Sequence, residues 1–277
     1  MKKIVLFTMV ATLLCGCQSV DLQPEQSGER EIAFKVRHNY ETRAELKGDG
    51  NILTDLWIFD FMNGEMVQQI HQVSTDADFA EPTMTLAYGE HHIYFVASRG
   101  TEPVVNNEAK TISFSSVRDT FWKDYYINVE STTTSDRYVM LERVVTRLRV
   151  VFDDEVPATM ATMGVQLSNW YQSINYMTGE PTNATAKNYS VEVPSSFIGT
   201  SGQLIASYYS FSEETEWTAN ITITANSATD VIGTVTKENV PFKRNRITEL
   251  HGNIFGSAGG MTIGVNDAWD TSYTDTW

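Results

Sequence analysis

Residues 217–225, WTANITITA, set an apolar side chain at almost every second position, with Thr or Asn between. Side chains of an extended strand point alternately to opposite faces, so this run has one buried and one wetted side. That is the pattern of an antiparallel sheet with water on one face. Short runs of the same kind recur at 31–36, 53–61, 91–98, 144–152, 164–167, 204–211, 231–235, 247–254 and 261–265. Turn chemistry separates them, for example Asn63-Gly64, Tyr88-Gly89 and the Gly-rich stretches 199–202 and 256–260. The expected class is all-β. Only residues 114–125 favour a helix, because Phe114, Val117, Phe121 and Tyr125 fall near one helical face; one or two turns are expected there.

The amino end carries different information. MKKIVLFTMVATLLCG, residues 1–16, reads as a secretory signal, with Lys2 and Lys3 ahead of an apolar run too short for a permanent span. The chain's two cysteines, Cys15 and Cys17, lie at its end. Leu14, Gly16 and Cys17 fill the pattern of a bacterial lipobox, in which the cysteine thiol takes a diacylglycerol and the chain is cut before it. Cys17 is therefore the expected lipidation site. Cys15 does not fit, since Leu14 would occupy the position that needs a small residue. A mature chain would then keep one cysteine, already a thioether, and no disulfide is expected. Stable anchoring takes more than one acyl chain, a condition that three chains such as palmitate and diacylglycerol would meet.

Residues 17–30 are nearly free of apolar side chains and read as a flexible tether. Asp21 and Glu25, close behind Cys17, resemble an export tag of surface lipoproteins, so an outer-membrane, outward-facing location is expected. With 20 Lys+Arg against 35 Asp+Glu the formal net charge is −15. Such a chain is a poor nucleic-acid binder, and anionic headgroups would repel it. The polar run 131–135, STTTS, suggests a boundary near residue 136, giving an N-terminal β-sandwich over 31–136 and a C-terminal one over 137–277.

Three stretches together resemble the fimbrillin superfamily, which comprises subunits and lipid-linked anchors of surface fimbriae in Bacteroides-type bacteria. They are LTDLWIFDFMNG at 53–64 with Phe79 and Leu86-x-x-Gly89-x-His91-x-Ile93-x-Phe95 downstream, ERVVTRLRVVF at 142–152, and the tail MTIGVNDAW at 261–269, ending at Trp277. The resemblance implies two tandem transthyretin-like β-sandwiches and assembly by strand complementation. In that process one subunit's strand satisfies the unpaired edge of its neighbour. It also implies that stalk subunits lose their first strand to an Arg-directed protease. Arg43-Ala44 is the better-placed cut site here, and an uncut, solvent-facing Arg43 is the competing reading. The tail fits a donor strand, with Met261, Ile263, Val265, Trp269 and Trp277 as its apolar side chains behind a Gly-rich hinge. The alternative is a last strand packed on its own domain. Expected partners are other fimbrial subunits, the outer membrane through the lipid, and surface receptors. The role could be anchor, minor subunit or stalk.

Catalytic patterns are missing from the reading. His91 and His92 would point to opposite faces of one strand and cannot share a metal. His38, His71 and His251 lack ligand spacing, and Asp153-Asp154-Glu155 reads as a solvated turn. Lys47-Gly-Asp-Gly-Asn51 lacks the acids of a calcium loop. No nucleophile elbow, HExxH or phosphate loop appears. A non-enzymatic protein without metal or cofactor is expected. A second function class remains, a standalone surface lipoprotein that binds glycans through Trp170, Tyr171 and Tyr176.

Overall fold

The computed structural model describes residues 28–38, 53–255 and 260–266. Its strands run, in chain order, β1 (Glu29–His38), β2 (Asp55–Met62), β3 (Glu65–Val73), β4 (Thr83–Ala87), β5 (Gly89–Ser98), β6 (Val104–Asn106), β7 (Thr111–Ser113), β8 (Thr120–Val129) and β9 (Asp136–Arg143). They continue as β10 (Val145–Phe152), β11 (Thr162–Trp170), β12 (Ser173–Asn175), β13 (Pro181–Thr182), β14 (Thr185–Glu192), β15 (Gln203–Phe211), β16 (Trp217–Asn226), β17 (Val231–Phe242), β18 (Ile247–Asn253) and β19 (Gly260–Asn266). Among the described residues there is no α-helix, only a 3-10 turn at Ser195–Phe197. The class is all-β, as the alternation requires.

The first seven-stranded sheet has the order β3-β2-β5-β8-β9-β1-β4. β8 and β9 pair only through Phe121↔Arg143 and Trp122↔Glu142. The sheet folds over at that short junction, and its halves share one core, with Phe34 from β1, Ile58 from β2, Phe95 from β5, Phe121 from β8 and Leu141 from β9. Asn63 (φ 52°) and Gly64 (φ 81°) both sit in the left-handed region, as a two-residue hairpin turn between β2 and β3 demands. A second module has two four-stranded sheets, β15-β10-β18-β19 and β14-β11-β16-β17. They enclose Leu148, Val165, Ile221, Ile223 and Leu250. Each module contains one parallel pair, β1 with β9 and β10 with β18.

A third apolar cluster lies between the modules. Trp57, Phe59 and Phe61, on the face of β2 turned away from the first core, meet Ile174, Tyr176 and Phe211. The Phe59 and Tyr176 rings stack at 3.9 Å and 7°. A small sheet, β13-β12-β7-β6, bridges the same seam through Ile174↔Ile112. β2 is therefore covered on both faces, which is why LWIFDF is a continuous apolar run broken by one Asp rather than an alternation.

Two expectations are corrected here. Residues 114–125 form no helix. Phe114 and Val117 enter the cluster between modules, while Phe121 enters the first core from the strand β8. Their spacing serves two cores rather than one helical face. The run 131–135 is a turn between β8 and β9 inside the first module, since β9 pairs with β1. The chain changes module at Val144, between β9 and β10.

Candidate assembly surface

β1 alternates EREIAFKVRH, and its inward side chains Ile32, Phe34 and Val36 are each 0% exposed. It runs antiparallel to β4 from Glu29↔Ala87 to Ala33↔Thr83, and parallel to β9 from Ala33↔Asp136 to His38↔Leu141. Phe34 packs against Phe95 at 5.5 Å and meets the Tyr125 ring edge-on at 5.7 Å. Beyond Pro82, the amides of Phe34 and Val36 donate to the carbonyls of Pro82 and Ala80. β1 thus fills a slot walled by β4 and β9 and floored by the first core. Its withdrawal would expose three apolar pockets and two unpaired backbone edges.

The amino end of that slot is fixed by a buried ion pair. His91 Nδ1–H donates to Asp60 Oδ1 at 2.8 Å and Nε2–H donates to the Ala87 carbonyl at 2.9 Å. With Asp60 ionised both partners are acceptors, an arrangement that favours the doubly protonated, positively charged ring. Burial works against that charge, but the Asp60 and Ala87 hydrogen bonds and the Asp60 carboxylate outweigh it and hold the His91 pKa above its ordinary value. Ala87 is also the residue opposite Glu29 in β1. Sequence reasoning kept His91 only as one half of a non-metal pair. The missed signal is an inward-facing His in β5 beside an inward-facing Asp in the neighbouring strand β2. Its neighbour His92 does turn to the other face, half-exposed and 3.6 Å from Asp124.

β19 is an edge strand. It pairs with β18 through Gly252↔Met261, Leu250↔Ile263 and Thr248↔Val265. Cross-strand partners share a face, so Ile263 and Val265 lean toward the side where Leu250 and Thr248 are buried. Met261 is 2% exposed, whereas Ile263 and Val265 are 40% and 45% exposed, because β19 overhangs the core at the sheet's rim. A small open recess beside it is lined by Arg149, Ile247, Glu249, Gly264 and Val265. The Arg149–Glu249 ion pair there measures 2.7 Å. Gly252 (φ 150°) leaves no room for a Cβ, which would lie 2.3 Å from the Gly260 carbonyl oxygen. Cys17, Arg43, Ala44, Trp269 and Trp277 lie outside the described residues.

The aromatic group read as a glycan platform is dismantled. Trp170 and Tyr176 are each 0% exposed, in the second core and the seam between modules respectively. Trp170 Nε1–H donates to the Tyr209 carbonyl at 3.0 Å, and the half-buried Tyr171 hydroxyl donates to Glu213. Asp154 does not face solvent as a free acid: its Oδ2 accepts from the amides of Ile254 and Phe255, capping the end of β18. Among the described residues no group of His, Cys, Asp or Glu could hold a metal, and no helix is long and apolar enough to cross a membrane.

A family model described as a family of unknown function, DUF6562, matches residues 68–277. The chain belongs to that family. The match spans every strand from within β3 to β19. No curated protein matches the sequence. Among solved structures, a candidate adhesin of Bacteroides thetaiotaomicron superposes with a TM-score of 0.55 at 9% identity, over 89% of this chain and 98% of that one. A candidate adhesin of Bacteroides ovatus gives 0.55 at 13% identity, over 90% and 96%. The tip fimbrial protein Mfa3 of Porphyromonas gingivalis, truncated at its C-terminus, gives 0.46 at 14% identity, over 86% and 99%. At such identities the two adhesin structures establish a shared fold across nearly the whole of each chain. At the level of the fold the chain is similar to these two candidate adhesins.

Proposed function

We propose that this DUF6562 chain is a non-enzymatic component of cell-surface fimbriae, anchored through a lipid on Cys17 and joined to its neighbours by strand complementation. Its two modules would be transthyretin-like β-sandwiches, and the first would become an acceptor where β1 is removed. The observation that carries this reading is the slot of β1: the strand pairs with β4 over Glu29–Ala33 and with β9 over Ala33–His38, and Ile32, Phe34 and Val36 are wholly buried in it. A neighbour's strand could satisfy the same backbone groups and fill the Ile32, Phe34 and Val36 pockets. Residues 261–277, with Met261, Ile263, Val265, Trp269 and Trp277, are the proposed donor. The adhesin fold of the two Bacteroides structures supports a surface role.

In the anchor or minor-subunit role β1 would stay in place; a stalk subunit would have to lose it, with Arg43-Ala44 as the cut. The test uses the chain with a protease site inserted at Arg43. After cleavage and mixing with a synthetic peptide of residues 261–277, the complex should run as one species on size exclusion. A chain equally cut but lacking the peptide should aggregate. If the peptide neither binds nor prevents aggregation, the donor assignment is wrong. Cys17→Ser should abolish palmitate labelling and release the protein from the membrane fraction.

A further inference from the structure

Any pull between the amino end of β1 and the second module acts along the axis of β1. The strand runs parallel to β9, from Ala33↔Asp136 to His38↔Leu141, and β9 passes through Val144 directly into β10 of the second module. The carboxyl end of β1 therefore lies at the junction. There the His38 ring stacks on Phe121 at 4.6 Å, and the Arg143 guanidinium sits 4.9 Å from the same ring. β1 is ten residues long, so its amino end lies about 30 Å from the junction and points away from it. The opposite pole is set in the same way: β10 leaves the junction at Val145, and its last residue, Phe152, pairs with Gln203 at the start of β15.

A force along a strand and a force across it meet different resistance. Pulled across, a strand peels away one hydrogen bond at a time. Pulled along, it must break the whole row together, and forced unfolding follows the rate of that single step. β1 is held on both sides against an axial pull. The Ala33 amide donates to the Ser135 carbonyl on the β9 side, and the amides of Phe34 and Val36 donate to the Pro82 and Ala80 carbonyls on the other, each at 2.9 Å. On the inner face Ile32, Phe34 and Val36 are each 0% exposed, and a slip of one residue would turn all three toward water. On the outer face Lys35 Nζ lies 5.5 Å from the ring centroid of Tyr138, its register partner on β9, while Arg37 pairs with Glu81 at 3.3 Å. Each of these two contacts is weak alone, yet they tie β1 to opposite neighbours.

We infer that β1 is a mechanical clamp, loaded in shear when tension runs between the membrane tether and the second module. Tension on an anchored molecule then leaves the slot filled, and β1 comes out readily only when pulled across its axis. The direction of the load rests on the lipid proposed at Cys17; the shear geometry of β1 does not. The second module repeats the design. Its β10 runs parallel to β18 from Arg147↔Ile247 to Phe152↔Gly252 and antiparallel to β15 from Val145↔Phe211 to Phe152↔Gln203. A load taken at the far pole slides β10 along both neighbours at once, so neither module presents a strand to be peeled.

Optical tweezers test this on the unlipidated chain 17–277, whose single thiol, Cys17, takes one DNA handle. The second handle goes on an introduced cysteine at an exposed position. Ser201→Cys, beside Gln203 at the far pole, gives the axial pull, and Ala87→Cys, opposite Glu29 in register, gives the crosswise pull. Thr85→Cys, exposed and opposite Glu31, supplies the crosswise geometry again should Ala87→Cys disturb the fold. Crosswise, β1 should leave first, at a force severalfold below that of any event in the axial pull. Release of β1 in the axial pull at the crosswise force would overturn the clamp, as would a crosswise pull that needs the axial force. Membrane fractionation of Cys17→Ser tests the anchor separately, so a failed anchor and a failed clamp give different results.

Discussion

At the scale of single residues, His91 is the most consequential titrating group. Its folded-state pKa lies above its unfolded value near 6.5, so the stability it contributes is full below that value and is lost as pH rises through the folded-state pKa. Thermal melts should therefore fall as pH rises above about 6.5 more steeply in the natural chain than in His91→Gln. Asp60→Ala would leave the buried His91 Nδ1 without its partner and should cost about 1–3 kcal/mol in urea unfolding near neutral pH. Truncating Phe34 to Ala should cost about 3–5 kcal/mol, because its ring is 0% exposed and touches Phe95 and Tyr125. Ile263→Ala, at the rim, should cost far less. A large loss there would mean that β19 is a core strand of its own module and no donor.

Among elements, β1 and β19 are opposites in the same fold. β1 is flanked on both sides and supplies three wholly buried side chains, whereas β19 has one strand neighbour and supplies one, Met261. Strand opening follows the number of partners lost, so β19 amides should exchange hydrogen faster than those of β1. Hydrogen-exchange mass spectrometry resolves both segments, and equal protection would contradict the rim position of β19. The misread stretch 114–125 also belongs to this scale. An interval of three or four residues between apolar side chains resembles a helix when one core is assumed, and this segment passes between two.

The whole molecule is held by its seam as much as by its modules. Phe59, Phe61 and Tyr176 sit in one cluster, Trp122 Nε1–H donates to the Tyr176 carbonyl at 2.7 Å, and Arg143 reaches both Asp119 and Asn245. Burial raises the Tyr176 phenol pKa to about 12, so it is neutral near neutral pH. Calorimetry should show one cooperative transition. Tyr176→Ala should split it into two, since it removes the largest side chain the second module inserts against β2. A single transition in that variant, shifted but unsplit, would mean that the small bridging sheet alone couples the modules.

The sequence by itself determined the strands whose two faces differ. β11, β16 and β18 announce themselves because water and core select opposite side chains at successive positions, and Asn63-Gly64 announces a hairpin because only such residues take two positive φ values cheaply. β1 was legible for the same reason. What needed the tertiary structure is every feature that depends on a second surface: β2 buried on both sides, β8 shared between two cores, the change of module at Val144, and Trp170 and Tyr176 turned inward. Long-range contact assigned those faces, and no local period encodes it. The His91–Asp60 pair belongs with them, since the two residues are 31 positions apart and become an ion pair only when β2 and β5 lie side by side.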